Sequence, residues 1–440
     1  MKPLSKLTAM LRVNKILITC IPGLIRSLID RLIRFRSSDV NDAEAISKIK
    51  KLESICMSFN ILPNGLSQDP KVTPTKWTTV KSILYYTLMT VHIIHLALLS
   101  VFDLPNEWLL VLGDFFYGQK NRRYFWCIWL NASIVGEICR YYWIFLIKNG
   151  HFRTFKLYSL IYERGFKSEV LSMNESHCRK FRFVASNLAN AWFWLVYCIA
   201  ITFAPILIFI VHSANQLPQT SIQFIYNSFW ILVNYLGIVS TCCNMALTAA
   251  LVTVHFSYFY FKAAHVTGTA EGLATKRGHM NKADYMLHYK ATVSEIIQYQ
   301  NETEQINVNI RNWLIFPYIG LSAAADFGVY IAIFVHIDPF MDFFVVIVAS
   351  IGVVIIGACS YINGVILTMM SSYCKNLRKA TRYLQLSERA FIKGTDLQDR
   401  LSRTDIAFTI GELLNMTPRV FVIYLIENIC LIMMFKVNFK

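Results

Sequence analysis

Residues 340–373 read FMDFFVVIVASIGVVIIGACSYINGVILTMMSSY, 34 positions without a lysine or arginine, and Lys375, Arg378, Lys379 and Arg382 follow at once. A membrane-spanning helix needs about 20 mostly apolar residues to cross roughly 30 Å of hydrocarbon. This run is therefore long enough to cross and to continue, through the polar stretch from Ser371 to Ser387, as helix on the basic side. Working outward, comparable runs occupy 82–102, 125–147, 190–212, 222–261, 313–337 and 408–435. Those at 222–261, 340–373 and 408–435 exceed one crossing. The chain reads as an all-α polytopic membrane protein of seven transmembrane helices. Its composition agrees: 55% hydrophobic, 14% aromatic and only 16% charged residues in 440 do not supply the charged surface of two or three soluble domains.

The basic residues avoid every second gap between the runs. There are 13 Lys and Arg before Lys81, 8 in 148–189, 6 in 262–312 and 8 in 375–405. The alternate gaps hold 3 in 103–124, none in 213–221, none in 338–342 and 2 in the C-terminal tail. Basic residues in short loops mark the cytoplasmic side, so the N-terminus is expected inside and the C-terminus outside. This divides the chain into a cytoplasmic segment, 1–79, and a seven-span domain, 80–439, with a cytoplasmic anchor expected from 262–312 and 375–407. The net charge of +16 is then a mark of topology and an attraction to anionic inner-leaflet lipid. No basic patch sits in a soluble domain, and nucleic acid is not an expected partner. Between Leu24 and Arg36, apolar residues at helical spacing alternate with arginines. Such a basic amphipathic stretch suits the inner membrane surface or packing on the cytoplasmic ends of the spans.

Chemistry-bearing motifs are scarce. No Gly-rich phosphate loop, HExxH, GxSxG or zinc-type Cys/His spacing occurs, so neither an enzyme nor a metal or cofactor is expected. Cys20, Cys56, Cys178 and Cys374 fall on the cytoplasmic side and the other seven cysteines lie in spans, which leaves none for an outer disulfide. His92 and His95 share a helical face, and two histidines alone point to packing or hydrogen bonding rather than to a metal.

Polar groups inside the membrane are costly and tend to be functional. Glu137 and Arg140 are three apart and pair on one face of the second span. Asp326 interrupts the fifth, among small residues that allow close helix approach. Glu427 and Asn428 stand side by side in the last span with no mate in their own helix. They require an aqueous path or a bond to another span.

The orientation and the last span together resemble the insect gustatory receptors and their gustatory-receptor-like relatives. That family carries, in its last helix, Thr-Tyr, five apolar residues and Gln-Phe. Here the same spacing reads Glu427-Asn428-Ile429-Cys430-Leu431-Ile432-Met433-Met434-Phe435. The apolar five and Phe435 match, while Glu427, Asn428 and Met434 depart. Upstream, Ile406-Ala407-Phe408-Thr409-Ile410-Gly411 is similar to the family's turn into that helix. The resemblance implies a plasma-membrane, ligand-gated, non-selective cation channel of four identical or related subunits that responds to a small-molecule tastant. The last helices would surround the pore. Glu427, Leu431 and Met434, at i, i+4 and i+7, would then supply an acidic ring and a hydrophobic constriction. A ligand pocket is implied in the outer halves of the earlier spans, where Trp129, Phe209, Phe229, Trp230, Tyr235, Tyr330, Phe343 and Phe344 are candidates. Their apolar character favours an apolar ligand over a sugar. A receptor-like co-subunit without its own conduction is the alternative within the family. A G-protein-coupled receptor requires the opposite orientation, and a transporter calls for matched broken helices in paired halves, which the chain lacks.

Overall fold

The computed structural model describes residues 40–62, 64–66, 76–114, 116, 121–150, 155–213, 221–276, 280–336, 339–384, 399, 408–412 and 414–438. The amphipathic stretch from Leu24 to Arg36, Ile406 and Ala407, and most of 385–407 lie outside this set. The chain is built almost wholly of helix: α1 (Asp42–Ser58), α2 (Lys76–Val101), α3 (Asn106–Val111), α4 (Arg122–Lys148), α5 (Phe155–Arg164), α6 (Ser168–Leu171), α7 (Glu175–Ser213), α8 (Ser221–Thr275) and α9 (Lys282–Ile315). A π-helical turn, Phe316–Gly320, leads into α10 (Leu321–Tyr330), and a second, Ile331–Val335, leaves it. Then come α11 (Pro339–Tyr383), a two-stranded ribbon of β1 (Thr409–Ile410) and β2 (Leu414–Asn415), and α12 (Pro418–Asn438).

Among the described residues, six helices are long and apolar enough to cross a membrane: α2, α7, α8, the run from α9 through α10, α11 and α12. The run expected at 125–147 coincides with α4, which has 27 residues, carries Glu137 and Arg140 in its middle and is not among those six. It is packed instead between α2, α8 and α10. The 55 residues of α8 rise on the order of 80 Å, far more than one bilayer core. Its excess, with the ends of α7, α9 and α11, forms a second layer of contacts. There Lys262 Nζ meets Glu302 Oε2 at 2.6 Å and Gln300 donates to the Tyr373 hydroxyl at 2.7 Å. Helix α1 docks on the start of α7, where Arg182 reaches Asp42 at 2.5 Å. Its N-cap is Asn41, which accepts from the Glu44 N–H at 2.7 Å, as an N-terminal turn requires.

The start of the last span differs from the sequence expectation. The apolar run from 408 predicts helix, but Thr409–Ile410 and Leu414–Asn415 are paired strands with Gly411 in the turn. The helix starts at Pro418, whose missing N–H costs nothing at a first helical position. Thr409 pairs with Asn415 and Ile410 with Leu414. Gly411, at φ +60°, makes the turn and donates its N–H to the Arg311 carbonyl at 2.8 Å. Phe408 is fully buried, its ring 4.3 Å from that of Phe256. Two buried asparagines clamp the ribbon. Asn363 donates to the carbonyls of Phe408 at 3.0 Å and Met416 at 2.6 Å, and Asn307 accepts from the Thr409 N–H at 2.8 Å.

Removing this clamp orphans buried backbone groups, at about 1–3 kcal/mol for each group left unpaired. Asn363→Ala is therefore expected to lower the thermal midpoint of the detergent-purified protein by several degrees, whereas Asn187→Ala, on an exposed helix surface, should leave it unchanged.

Candidate functional site

The seven expected spans differ sharply in how much the rest of the chain covers them. In the most apolar stretch of α8, 67% of positions are buried, against 6% in α12. Helix α12 touches α10 and α11 through one face made of Phe421, Tyr424, Asn428, Ile432 and Phe435. Phe435 lies with its ring 5.8 Å from both Phe327 and Tyr330. Close packing is possible at the foot of the helix because α11 offers Gly357 and Gly364. A Cβ at Gly357 would meet the Phe421 ring at 2.7 Å, and one at Gly364 would meet Pro418 Cδ at 2.5 Å. The opposite face, Val422, Ile423, Ile426, Ile429, Met433 and Val437, is exposed. Glu427 and Met434 are exposed with it, and Leu431 is half-buried at its border.

Adjacent in sequence, Glu427 and Asn428 point to different surroundings. Asn428 meets α10. One terminal atom of its amide lies 3.0 Å from Ser322 Oγ and 3.3 Å from Asp326 Oδ2. Asp326 and Asn428, singled out separately in the sequence, thus share one buried polar cluster. Ser322, one helical turn before Asp326, belongs to it as well, and that spacing is its signal in the sequence.

Glu137 and Arg140 anchor the most heavily bonded group. Arg140 Nη2 meets Glu137 Oε2 at 2.6 Å with its side chain 1% exposed. The Tyr85 hydroxyl donates to Glu137 Oε1 at 2.7 Å, Asn244 bonds Tyr85, and the guanidinium stands 4.3 Å from the Tyr85 ring centre and 4.8 Å from that of Tyr86. The pair therefore joins α2, α4 and α8 rather than facing an open site. Tyr85 and Asn244 went unnoticed in the sequence, although an asparagine in an apolar run carries the same signal as Glu137. His92 and His95 are buried in a neighbouring network. His92 Nε2 is 3.4 Å from the Ser133 hydroxyl, while His95 contacts Asn234 at 3.2 Å and the Leu112 carbonyl at 2.7 Å.

The aromatic candidates divide into separate packing sites. The Trp230 ring stacks on His95 at 4.0 Å, and its Nε1 donates to the Val111 carbonyl at 3.1 Å. Trp129 packs edge-on to Phe203, Tyr235 donates to the Ala200 carbonyl at 2.8 Å, and Tyr330 sits beside α12. Phe229 and Phe343 are exposed. The side chains of Phe209 and Phe344 lie outside the described set. Trp129 and Trp230 are joined through Phe125, Trp126 and His95, while Tyr330 belongs to the α10–α12 contact.

Compared with known protein families and with curated proteins, the chain has no match.

Breaking one partner of a buried ion pair leaves an uncompensated charge, worth about 3–5 kcal/mol, whereas replacing both with apolar groups is often neutral. Arg140→Met alone should therefore destabilise the purified protein strongly. Adding Glu137→Leu should restore most of the loss in a thermal unfolding assay, and equal, additive losses would show that the two do not act as a pair.

Proposed function

We propose that the chain is a seven-span subunit of a ligand-gated, non-selective cation channel of the gustatory-receptor type, set in the plasma membrane with its N-terminus in the cytoplasm and its C-terminus outside. In this reading α4 is the second span, admitted to the bilayer because its charges are paired inside the bundle. The basic gaps lie on the cytoplasmic side, and the long extensions of α8, α9 and α11, over 262–312 and 375–407, form the anchor that joins four subunits.

The observation that carries the reading is the one-sided packing of α12. A spanning helix whose uncovered face, between Arg419 and Lys436 near its ends, is apolar except for one carboxylate needs a partner that covers the apolar part and brings water to the carboxylate. A ring of like helices around a central pore does both. Glu427 then favours cations, and Leu431 or Met434 narrows the path by dewetting. The ligand is a small, mainly apolar tastant bound among the aromatic side chains of the outer half, with Trp129 and Trp230 lining one joined aromatic group.

The departures at Glu427, Asn428 and Met434 from the resembled motif support a second reading, in which the chain conducts only beside a related subunit.

Cells expressing the chain alone, screened against a tastant panel, should pass a cation current. Glu427→Ala should shift its reversal potential and lower cation-over-anion permeability several-fold. An unchanged reversal potential removes Glu427 from the pore. Absence of current alone, with current restored by a related subunit, establishes the second reading. A C-terminal tag should label on intact cells, and labelling only after permeabilisation overturns the orientation.

A further inference from the structure

Helix α9 carries two seams on opposite faces. One runs from Tyr289 through Ile296 and Thr303 to Ile310, in steps of three and four, and is buried inside the subunit. The other takes the same steps along the far side. Its members, Leu287, Ala291, Ser294, Gln298, Asn301, Gln305 and Val308, are all exposed. Steps of three and four held over three heptads are the pattern of a helix that packs along another helix. None of these residues is charged, although the stretch holds too many amides and carboxylates to lie in hydrocarbon. The charged side chains between Leu287 and Val308 are Lys290, Glu295, Glu302 and Glu304, and all four stand at the flanks of the exposed seam. A face that meets only water has no reason to keep its charges off one line.

We propose that the exposed seam of α9 packs, parallel and in register, against the same seam of another copy of this chain. Helix α9 continues through α10 as one run long and apolar enough to cross a membrane, so copies in one membrane hold it in the same direction and at the same depth. Parallel, in-register packing then sets Gln298 against Gln298 and Asn301 against Asn301. A carboxamide both donates and accepts, so each of these layers satisfies itself. The small side chains of Ala291 and Ser294 let the two backbones come close. At the flanks, the parallel arrangement faces Lys290 with Glu295 of the partner subunit, as flanking charges do in paired helices. Glu295 is 45% exposed and within reach of such a contact. No two like charges are brought together. Polar residues in a seam lower its stability but specify its register, so the contact, roughly 32 Å long, selects like chains over unrelated helices. The inference rests on the proposed association of subunits and not on conduction.

Cysteine crosslinking of the full chain in cell membranes reads the contact without any current. Cys56, Cys178 and Cys374, on the side expected to be cytoplasmic, are buried, which keeps the background low. Under copper–phenanthroline oxidation, Ser294→Cys should give a covalent dimer several-fold above the wild type and above Asn187→Cys, on an exposed face of α7. When differently tagged Ser294→Cys and Asn301→Cys chains are co-expressed, each should link to its own kind. Ser294→Glu with Gln298→Glu sets like charges in facing layers and should reduce the mass of the detergent-purified assembly. A Ser294→Cys dimer no stronger than the wild-type background overturns the proposal. So does a predominant link between positions 294 and 301, which requires antiparallel helices. A double glutamate variant that keeps its mass but unfolds at lower temperature assigns the seam to a contact within the subunit and overturns it equally. Current from cells in which no 294 link forms rejects the seam and leaves the channel reading standing, whereas a 294 link without current does the reverse.

Discussion

The buried Glu137–Arg140 pair is the constraint to which the rest of the bundle conforms. Burial removes the water that would satisfy a stray polar group, so a helix that carries two buried charges in its middle must find partners among its neighbours. Helix α4 does so by taking the Tyr85 hydroxyl from α2 and, through it, Asn244 from α8. This fixes three helices in rotation and height at once. The helix axes must then come close, and the small residues allow it: a Cβ on Gly136 would already stand 3.1 Å from Thr241 Cγ2, and Gly237 receives the His92 ring directly against the α8 backbone. The polar residues supply direction and the small ones proximity.

A second set of polar clamps settles where α12 can go. Asn363 and Asn307 hold the ribbon that precedes it, so the helix leaves from a fixed point on α9 and α11. Further along, Asn428 fixes its rotation against α10. Two polar contacts about two turns or more apart define an axis, and the remaining contacts of α12 are aromatic edges and a pair of glycine notches. The helix is thus held firmly on one side without being enclosed. That is the mechanical condition for an element whose other face serves an interface, whether with lipid or with further subunits.

Much of the helical plan was legible in the sequence because length, apolarity and charge alternation are properties of contiguous stretches. The start of the last helix is less legible. Apolarity runs on through Phe408, Thr409 and Ile410, and the likeness of 406–411 to a turn is the one cue against it. The pairing with Leu414 and Asn415, together with the Phe408–Phe256 contact, 152 residues apart by their numbers, makes the stretch a ribbon. Partners were illegible throughout. Asp326 and Asn428, or Glu137 and Asn244, each look alone on their own helix, since the groups that satisfy them lie about a hundred residues away. Sequence marks that a buried polar residue needs a mate but not which one. The aromatic residues gave the weakest signal, because packing, hydrogen bonding of an indole N–H and ligand contact all use the same side chains.

The neighbours Glu427 and Asn428 show how one residue step changes the problem. Successive helix positions are about 100° apart, so if Asn428 is turned inward toward Asp326, Glu427 must point toward the border of the uncovered face. The two cannot exchange roles without rotating α12 by a third of a turn, and that rotation would break the Asn428 cluster and pull Phe435 away from Phe327 and Tyr330. The inward polar cluster therefore determines what the outward carboxylate faces. Whatever surrounds that face must accommodate a carboxylate at that height, and the hydrogen bonds of the cluster behind it hold the carboxylate in register.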